Sequence, residues 1–311
     1  MKWNRSSPLF WITLIIVALA GAAFWLHFAR QGHKTVWVAP VNEISSPRSE
    51  QESAELPPVP APGTKAETKQ EAATGPNAAP VSPAPDAMKP LKERPRIAIV
   101  IDDVGPNLAE TEKAIHLPPS VTLSFLPYAQ HLTETTSRAL AAGHELLLHM
   151  PMEPLGNDNP GPNALLTNMP PEEIRSRLET ALDSFKGLDG VNSHMGSKFT
   201  TDREGMNAVL NVLQERHLFF FDSLTNPKSV AGAVAREHHV PTQARDVFLD
   251  NNTSVAAVKA RLAQTEQVAL RRGHAIAIGH PHPNLIKALE EWLPEVEKKG
   301  FVIVPLHDLV K

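Results

Sequence analysis

Ile97-Ala98-Ile99-Val100-Ile101 is an unbroken apolar run that ends in two adjacent carboxylates, Asp102 and Asp103. Such a run reads as a buried strand. Side chains alternate along a strand, so consecutive aspartates at its carboxyl end point in different directions and can take different jobs, one holding a metal while the other moves a proton. The same grammar repeats downstream. Apolar runs end in Leu148-His149-Met150-Pro151-Met152-Glu153-Pro154, in Asn192-Ser193-His194-Met195-Gly196-Ser197, in Asp222-Ser223 and in Gly279-His280-Pro281-His282-Pro283. Ligand-type residues gathered at several strand ends are what a metal-assisted hydrolase on an α/β barrel requires.

The punctuation between these runs predicts strands near 96–102, 121–126, 145–149, 190–194, 218–222, 245–249, 274–279 and 301–305. Helices are expected near 107–115, 131–142, 171–186, 202–216, 227–239, 254–272 and 284–299. Pro170-Pro171-Glu172-Glu173 has the proline and acids of a helix start, and Gly143, Gly273 and Gly300 stand where a helix end needs a left-handed residue. Regular alternation of strand and helix implies a mainly parallel sheet, open or closed. About 215 residues show this pattern, enough for one core and near the lower size of an α/β barrel.

The first 93 residues are different. Lys2 and Arg5 precede an apolar run from about Leu9 to Phe28, and about 20 residues just span a hydrocarbon core of about 30 Å. Residues 1–33 are therefore expected to be a membrane anchor or a cleaved signal peptide. Ala18-Leu19-Ala20 offers a small-x-small cleavage site, whereas Ala22-Ala23-Phe24-Trp25-Leu26 continues the apolar run past it and favours the anchor. Either way the remainder is exported, to the periplasmic side of an inner membrane or beyond. Residues 34–93 are rich in Pro, Ala, Glu, Ser and Thr, as in Leu56-Pro57-Pro58-Val59-Pro60-Ala61-Pro62, and are expected to form a disordered linker.

Composition excludes some chemistry. A formal net charge of −4 with no basic stripe or aromatic platform gives no footprint for nucleic acid. The absence of cysteine rules out disulfides, thiolate metal sites and a thiol nucleophile, leaving His, Asp and Glu as metal ligands.

The run ending in Asp102-Asp103, the Gly143-His144-Glu145-Leu146-Leu147-Leu148-His149 strand with its Met-Pro-Met-Glu-Pro sequel, and Ile278-Gly279-His280-Pro281-His282 resemble the divergent polysaccharide deacetylase family over the region from Arg94 to Val310. The resemblance implies a distorted seven-stranded (β/α) barrel with a divalent metal, usually zinc, at the carboxyl ends of the strands. It implies that Asp102 is the general base, Asp103 a metal ligand and His149 the first of two histidine ligands. The pattern then breaks, because the position four beyond His149 is Glu153. The third ligand is either Glu153 or His194; His194 is favoured because imidazole is the commoner zinc ligand and because Pro151 and Pro154 constrain Glu153. The family's arginine-proline-proline motif is also absent, so whatever orients the base is rebuilt, with Lys198 as a candidate.

The chemistry implied is hydrolysis of an amide or ester on a polysaccharide of the cell envelope, peptidoglycan or an exopolysaccharide, removing acetyl groups. It needs an acid as well as a base. His280 and His282 are the candidates, His280 first because it lies nearest the strand end, and Asp222 is expected to orient the acid or a ligand. Each has a plainer alternative: His280 and His282 as helix-capping loop residues, Asp222-Ser223 as a cap. His238, His239 and His274 read as surface or core residues, and Trp292 and Phe219-Phe220-Phe221 as packing. A second function class stays open, a catalytically silent glycan-binding or scaffold domain that keeps the barrel. A third is hydrolysis of a glycosidic bond by Asp102 with Glu153 or Asp222.

Overall fold

The computed structural model describes residues 93–311. The expected membrane segment and, but for Glu93, the expected linker lie outside the described residues. Among those described, no helix is long and apolar enough to cross a membrane.

Nine strands form one sheet: β1 (Arg96–Val104), β2 (Thr122–Phe125), β3 (Leu146–Met152), β4 (Leu188–Met195), β5 (Phe219–Asp222), β6 (Thr242–Ala244), β7 (Val247–Phe248), β8 (His274–Gly279) and β9 (Val302–Ile303). Between them run α1 (Leu108–Ile115), α2 (Leu132–Ala141), α3 (Pro171–Leu182), α4 (Arg203–Arg216), α5 (Ala231–Glu237), α6 (Val255–Arg272) and α7 (Pro283–Lys298). Sequence punctuation explains many of the ends. Asn107, Asp202 and Ser254 accept first-turn N–H groups of α1, α4 and α6, Pro171 opens α3, and Gly273 closes α6 in the left-handed region.

Every strand pairing is parallel, in the order β6-β5-β4-β3-β2-β1-β8-β7, with β9 beside the start of β1. The described residues thus form an α/β parallel half-barrel, with nine strands among them where seven were expected. The strand expected at 245–249 is the two-residue β7, and β6, just before it at the opposite end of the sheet, was not expected. Arg245 N donates to Asp222 O at the end of β5 at 3.0 Å, and N of the next residue, Asp246, donates to Ile276 O on β8 at 2.9 Å. The chain itself therefore crosses the gap that a ladder would otherwise close.

Alternation along the strands sorts the core into two layers. Ile97, Ile99, Ile101, Leu146, Leu148 and Phe220 pack outward under the helices, whereas Ala98, Val100, Leu147, Phe219, Phe221, Ile276 and Ile278 fill the concave side together with Val304, Leu306 and Leu309. Continuing the concave set by steps of two toward the carboxyl ends reaches Asp102, His149, Asn192, Ser223, Asp250 and His280. A polar layer thus caps an apolar plug on the same face of the sheet.

Candidate metal centre

Asp103 does not belong to that concave set by parity. It reaches the site because β1 breaks register against β2 between Ile101 and Val104, and because Asp103 takes a left-handed backbone with φ 54°. Aspartate is among the few residues that tolerate this conformation, and a bulge re-aims a side chain. Met195 at the end of β4 is also left-handed, with φ 56°, just beyond His194. Nδ1 of His194 lies 2.7 Å and Nε2 of His149 lies 3.2 Å from Oδ1 of Asp103, and the two imidazoles meet edge to face at 5.1 Å. One ligand atom from each of Asp103, His149 and His194 falls within 4.8 Å of the others.

Asn192 holds this group from behind. Its Oδ1 faces Nδ1 of His149 at 2.8 Å and accepts from Ser124 Oγ at 2.6 Å, while its Nδ2 donates to Asp102 Oδ1 at 2.8 Å and to Ser223 Oγ at 3.2 Å. The carboxylate and the amide oxygen fix which end of Asn192 is which. His149 must then donate from Nδ1, leaving the Nε2 lone pair for the cluster. Asp102, buried under this network, has its pKa raised above the usual carboxylate range, because desolvation outweighs the nearby His149.

His280 approaches from β8, with Nε2 3.8 Å from Oδ2 of Asp103. Asp250 fixes it twice: its Oδ2 accepts from His280 N at 2.7 Å and its Oδ1 faces His280 Nδ1 at 3.2 Å. Burial disfavours the imidazolium, yet Asp250 together with Asp102 and Asp103 pushes its pKa up to about 9. His282 is exposed at the N-cap of α7 and, with Asp250 and His280, completes a second group of closely spaced ligand atoms.

Three expectations fall elsewhere. Glu153 stands outside the cluster, its Oε1 bound to Lys198 Nζ at 2.6 Å and its Oε2 to Thr167 N and Oγ1 at 2.7 and 2.8 Å. Lys198, in turn, serves Glu153 rather than the base; the groups around Asp102 are Asn192, which donates to it, and the imidazoles of His149 and His280. Asp222 has outward parity with Phe220 and orders the loop after β5, accepting from Leu224 N at 2.8 Å and from Ser229 Oγ at 2.7 Å. Its neighbour Ser223 is the one that faces Asn192. Trp292 packs on the core and donates to Glu266 at 2.8 Å.

The donor set suits a divalent cation. Oδ1 of Asp103 is a buried atom without a hydrogen bond of acceptable geometry, although two imidazole nitrogens crowd it. Atoms that converge on a common point without pointing hydrogens at one another are placed as ligands are, and one carboxylate with two imidazoles is a familiar set that leaves positions open.

Fold and site together define a parallel α/β half-barrel with a histidine–aspartate centre at the strand carboxyl ends. Residues 99–310 match the model of the divergent polysaccharide deacetylases, and the chain belongs to that family. It is 37% identical over 198 residues to an uncharacterised protein of Haemophilus influenzae, covering 64% of this chain and 71% of that one. It is 34% identical over 196 residues to the uncharacterised Escherichia coli protein YibQ, covering 63% and 61%. The crystal structure of an uncharacterised Agrobacterium tumefaciens protein superposes with a TM-score of 0.69 at 31% identity, covering 70% of this chain and 90% of that one.

Proposed function

We propose that the protein is a divalent-metal-dependent hydrolase that removes acetyl groups from an envelope or extracellular polysaccharide such as peptidoglycan. Asp103, His149 and His194 would hold the metal, with zinc the ion their chemistry favours. The observation that carries this reading is the convergence of those three with Asp102 on one side and the His280–Asp250 pair on the other.

A cation held there supplies Lewis acidity toward an acyl oxygen and toward water. Asp102, with Oδ1 fixed by Asn192 and Oδ2 3.8 Å from His149 Nε2, accepts the proton of the attacking water. Its raised pKa makes it a stronger base than a free carboxylate. His280 donates the proton that the departing amine or alkoxide needs, and Asp250 keeps it charged for that step. The C–N or C–O bond breaks, acetate and the free amine or hydroxyl result, and no redox partner is required. Export fits the expected N-terminal segment, which would hold the enzyme at the cell envelope or be cleaved after passage.

The test is release of acetate from an N-acetylated glycan by the zinc-loaded protein. Asp102→Asn is expected to retain metal and to lose at least about a hundredfold in rate, the usual share of a general base. Glycan binding without acetate release under any divalent ion would instead favour the silent binding-domain reading.

A further inference from the structure

We propose that Asp250, His280 and His282 form a second divalent-cation site, weaker than the first, whose filling switches the hydrolase off. The site stands on its geometry; the switch rests on the deacetylase reading, in which His280 is the acid. One ligand atom from each of the three residues falls within 4.8 Å of the others. None of them belongs to the Asp103–His149–His194 set, so the second ion takes nothing from the first.

The group is assembled from two strand ends. Leu249 N donates to Ile278 O at 2.8 Å, which carries Asp250 past β7 to the turn after β8. There Asp250 Oδ2 accepts from His280 N at 2.7 Å. Within Gly279-His280-Pro281-His282-Pro283, His282 N donates to His280 O at 2.7 Å, closing a tight turn around Pro281. A proline ring locks φ near about −65°, close to what the central residue of such a turn needs. The turn sets the two imidazoles side by side, ring centroids 6.0 Å apart and planes inclined by 37°. Pro283 then opens α7, so His282 is held at a helix start.

His282 is the residue that acid catalysis leaves unexplained. The His280–Asp250 pair is complete without it, and it occupies the N-cap of α7 with no side-chain cap hydrogen bond. Its imidazole is exposed, while the Asp250 side chain is 1% exposed and that of His280 23%. A cation thus enters past His282 and meets a buried carboxylate. His280 Nδ1 and Asp250 Oδ1 stand 3.2 Å apart. Neighbouring ligands on a tetrahedral zinc ion, with bonds of about 2.0–2.1 Å, stand ~3.3 Å apart, so the pair is spaced as ligands are. The set is weaker than the first because one ligand is exposed and Asp250 shares its carboxylate with His280 N. An imidazole that ligates a cation is neutral. A filled second site therefore leaves His280 without the proton that the departing amine or alkoxide needs.

The experiment is equilibrium dialysis of the full-length protein against rising free zinc, with bound zinc read by elemental analysis and acetate release from an N-acetylated glycan assayed at each point. Two equivalents are expected, the second at least about tenfold weaker, so that it fills only as free zinc is raised. His282→Ala should take up one, and His149→Ala should lose the tight equivalent and keep the weak one. Acetate release by the wild-type protein should fall at least about a hundredfold as the second equivalent binds, the usual share of a general acid. His282→Ala should hold, as zinc rises, whatever rate it has at one equivalent. Uptake of one equivalent by the wild type, or of two by His282→Ala, would overturn the site, and equal inhibition of both proteins would overturn the switch. Acetate release without a second equivalent would remove the site and leave the deacetylase standing. A second, His282-dependent equivalent without acetate release at any zinc concentration would leave the site standing and remove the deacetylase, and the switch with it. If His282→Ala does not fold, as judged by its thermal transition, His282→Asn, which supplies a good helix cap, carries the test.

Discussion

Asn192 decides which nitrogen of His149 faces the cluster, and Asp250 decides whether His280 carries a proton. Asn192→Ala removes the acceptor for His149 Nδ1 and the donor to Asp102 at once. Loss of such a supporting partner is expected to weaken metal affinity about 10–100-fold, measurable by competition with a chelator. Asp250→Asn acts on the pH profile. Hydrolysis needs Asp102 without its proton and His280 with one, so activity should fall on the acid side as Asp102 protonates and on the alkaline side as His280 loses its proton near its pKa of about 9. Removing the Asp250 charge lowers the His280 pKa and should move the alkaline limb down by about one unit, leaving the acid limb nearly in place. Asn192 stood in the sequence only within a strand-end string and with no role, and Asp250 was missed although a signal for it was present. Ile-Asp and Leu-Asp end apolar runs alike at Ile101-Asp102 and Leu249-Asp250, and counting by twos from Leu147 and Phe221 separates the inward His149 and Ser223 from the outward Asp222. Asp103 was not legible by parity, since only the left-handed turn at that residue carries its carboxylate to the histidines.

Among the elements, the long segment between β3 and α3 depends on one carboxylate. Glu153 ties its start to Thr167 near its end and to Lys198 beyond β4. Because Lys198 holds the Glu153 pKa below the usual carboxylate range despite some desolvation, the pair is a charged one at neutral pH. Glu153→Gln is expected to retain bound metal while making the 154–166 segment several times more susceptible to limited proteolysis; loss of metal would return Glu153 to the ligand set. The seven helices and the longer strands were readable from apolar periodicity, proline starts and glycine stops. β6 was missed, and β7 and β9 are shorter than the strands expected at 245–249 and 301–305, because two or three residues carry no period and their pairing is set by partners more than 20 residues away. The Glu153 role was hidden for the same reason, since its partners come from two separate loops.

At the scale of the molecule, the half-barrel carries chemistry at one end and closure at the other. Glu145, at the amino end of β3 and buried, accepts from Thr122 Oγ1 at 2.6 Å, Leu306 N at 2.6 Å and His307 N at 3.0 Å, fastening the C-terminal segment over the apolar plug. Desolvation raises its pKa in the folded state despite these donors. A carboxyl raised on folding gives stability that is complete below its unfolded pKa and is lost as pH rises through the folded one. Glu145→Gln should therefore destabilise the protein by about 1–3 kcal/mol, since an amide N–H₂ cannot accept what the carboxyl accepts. The gap from wild type should narrow from acid to neutral pH in denaturant titrations, and a widening gap would contradict the assignment. The central claim concerns the other end, and elemental analysis of the full-length protein, purified without chelator or affinity metal beside His149→Ala, tests it most directly. About one equivalent of zinc or another divalent ion, lost in His149→Ala, is the predicted result; no metal in either protein even after zinc is added, or equal metal in both, would contradict it.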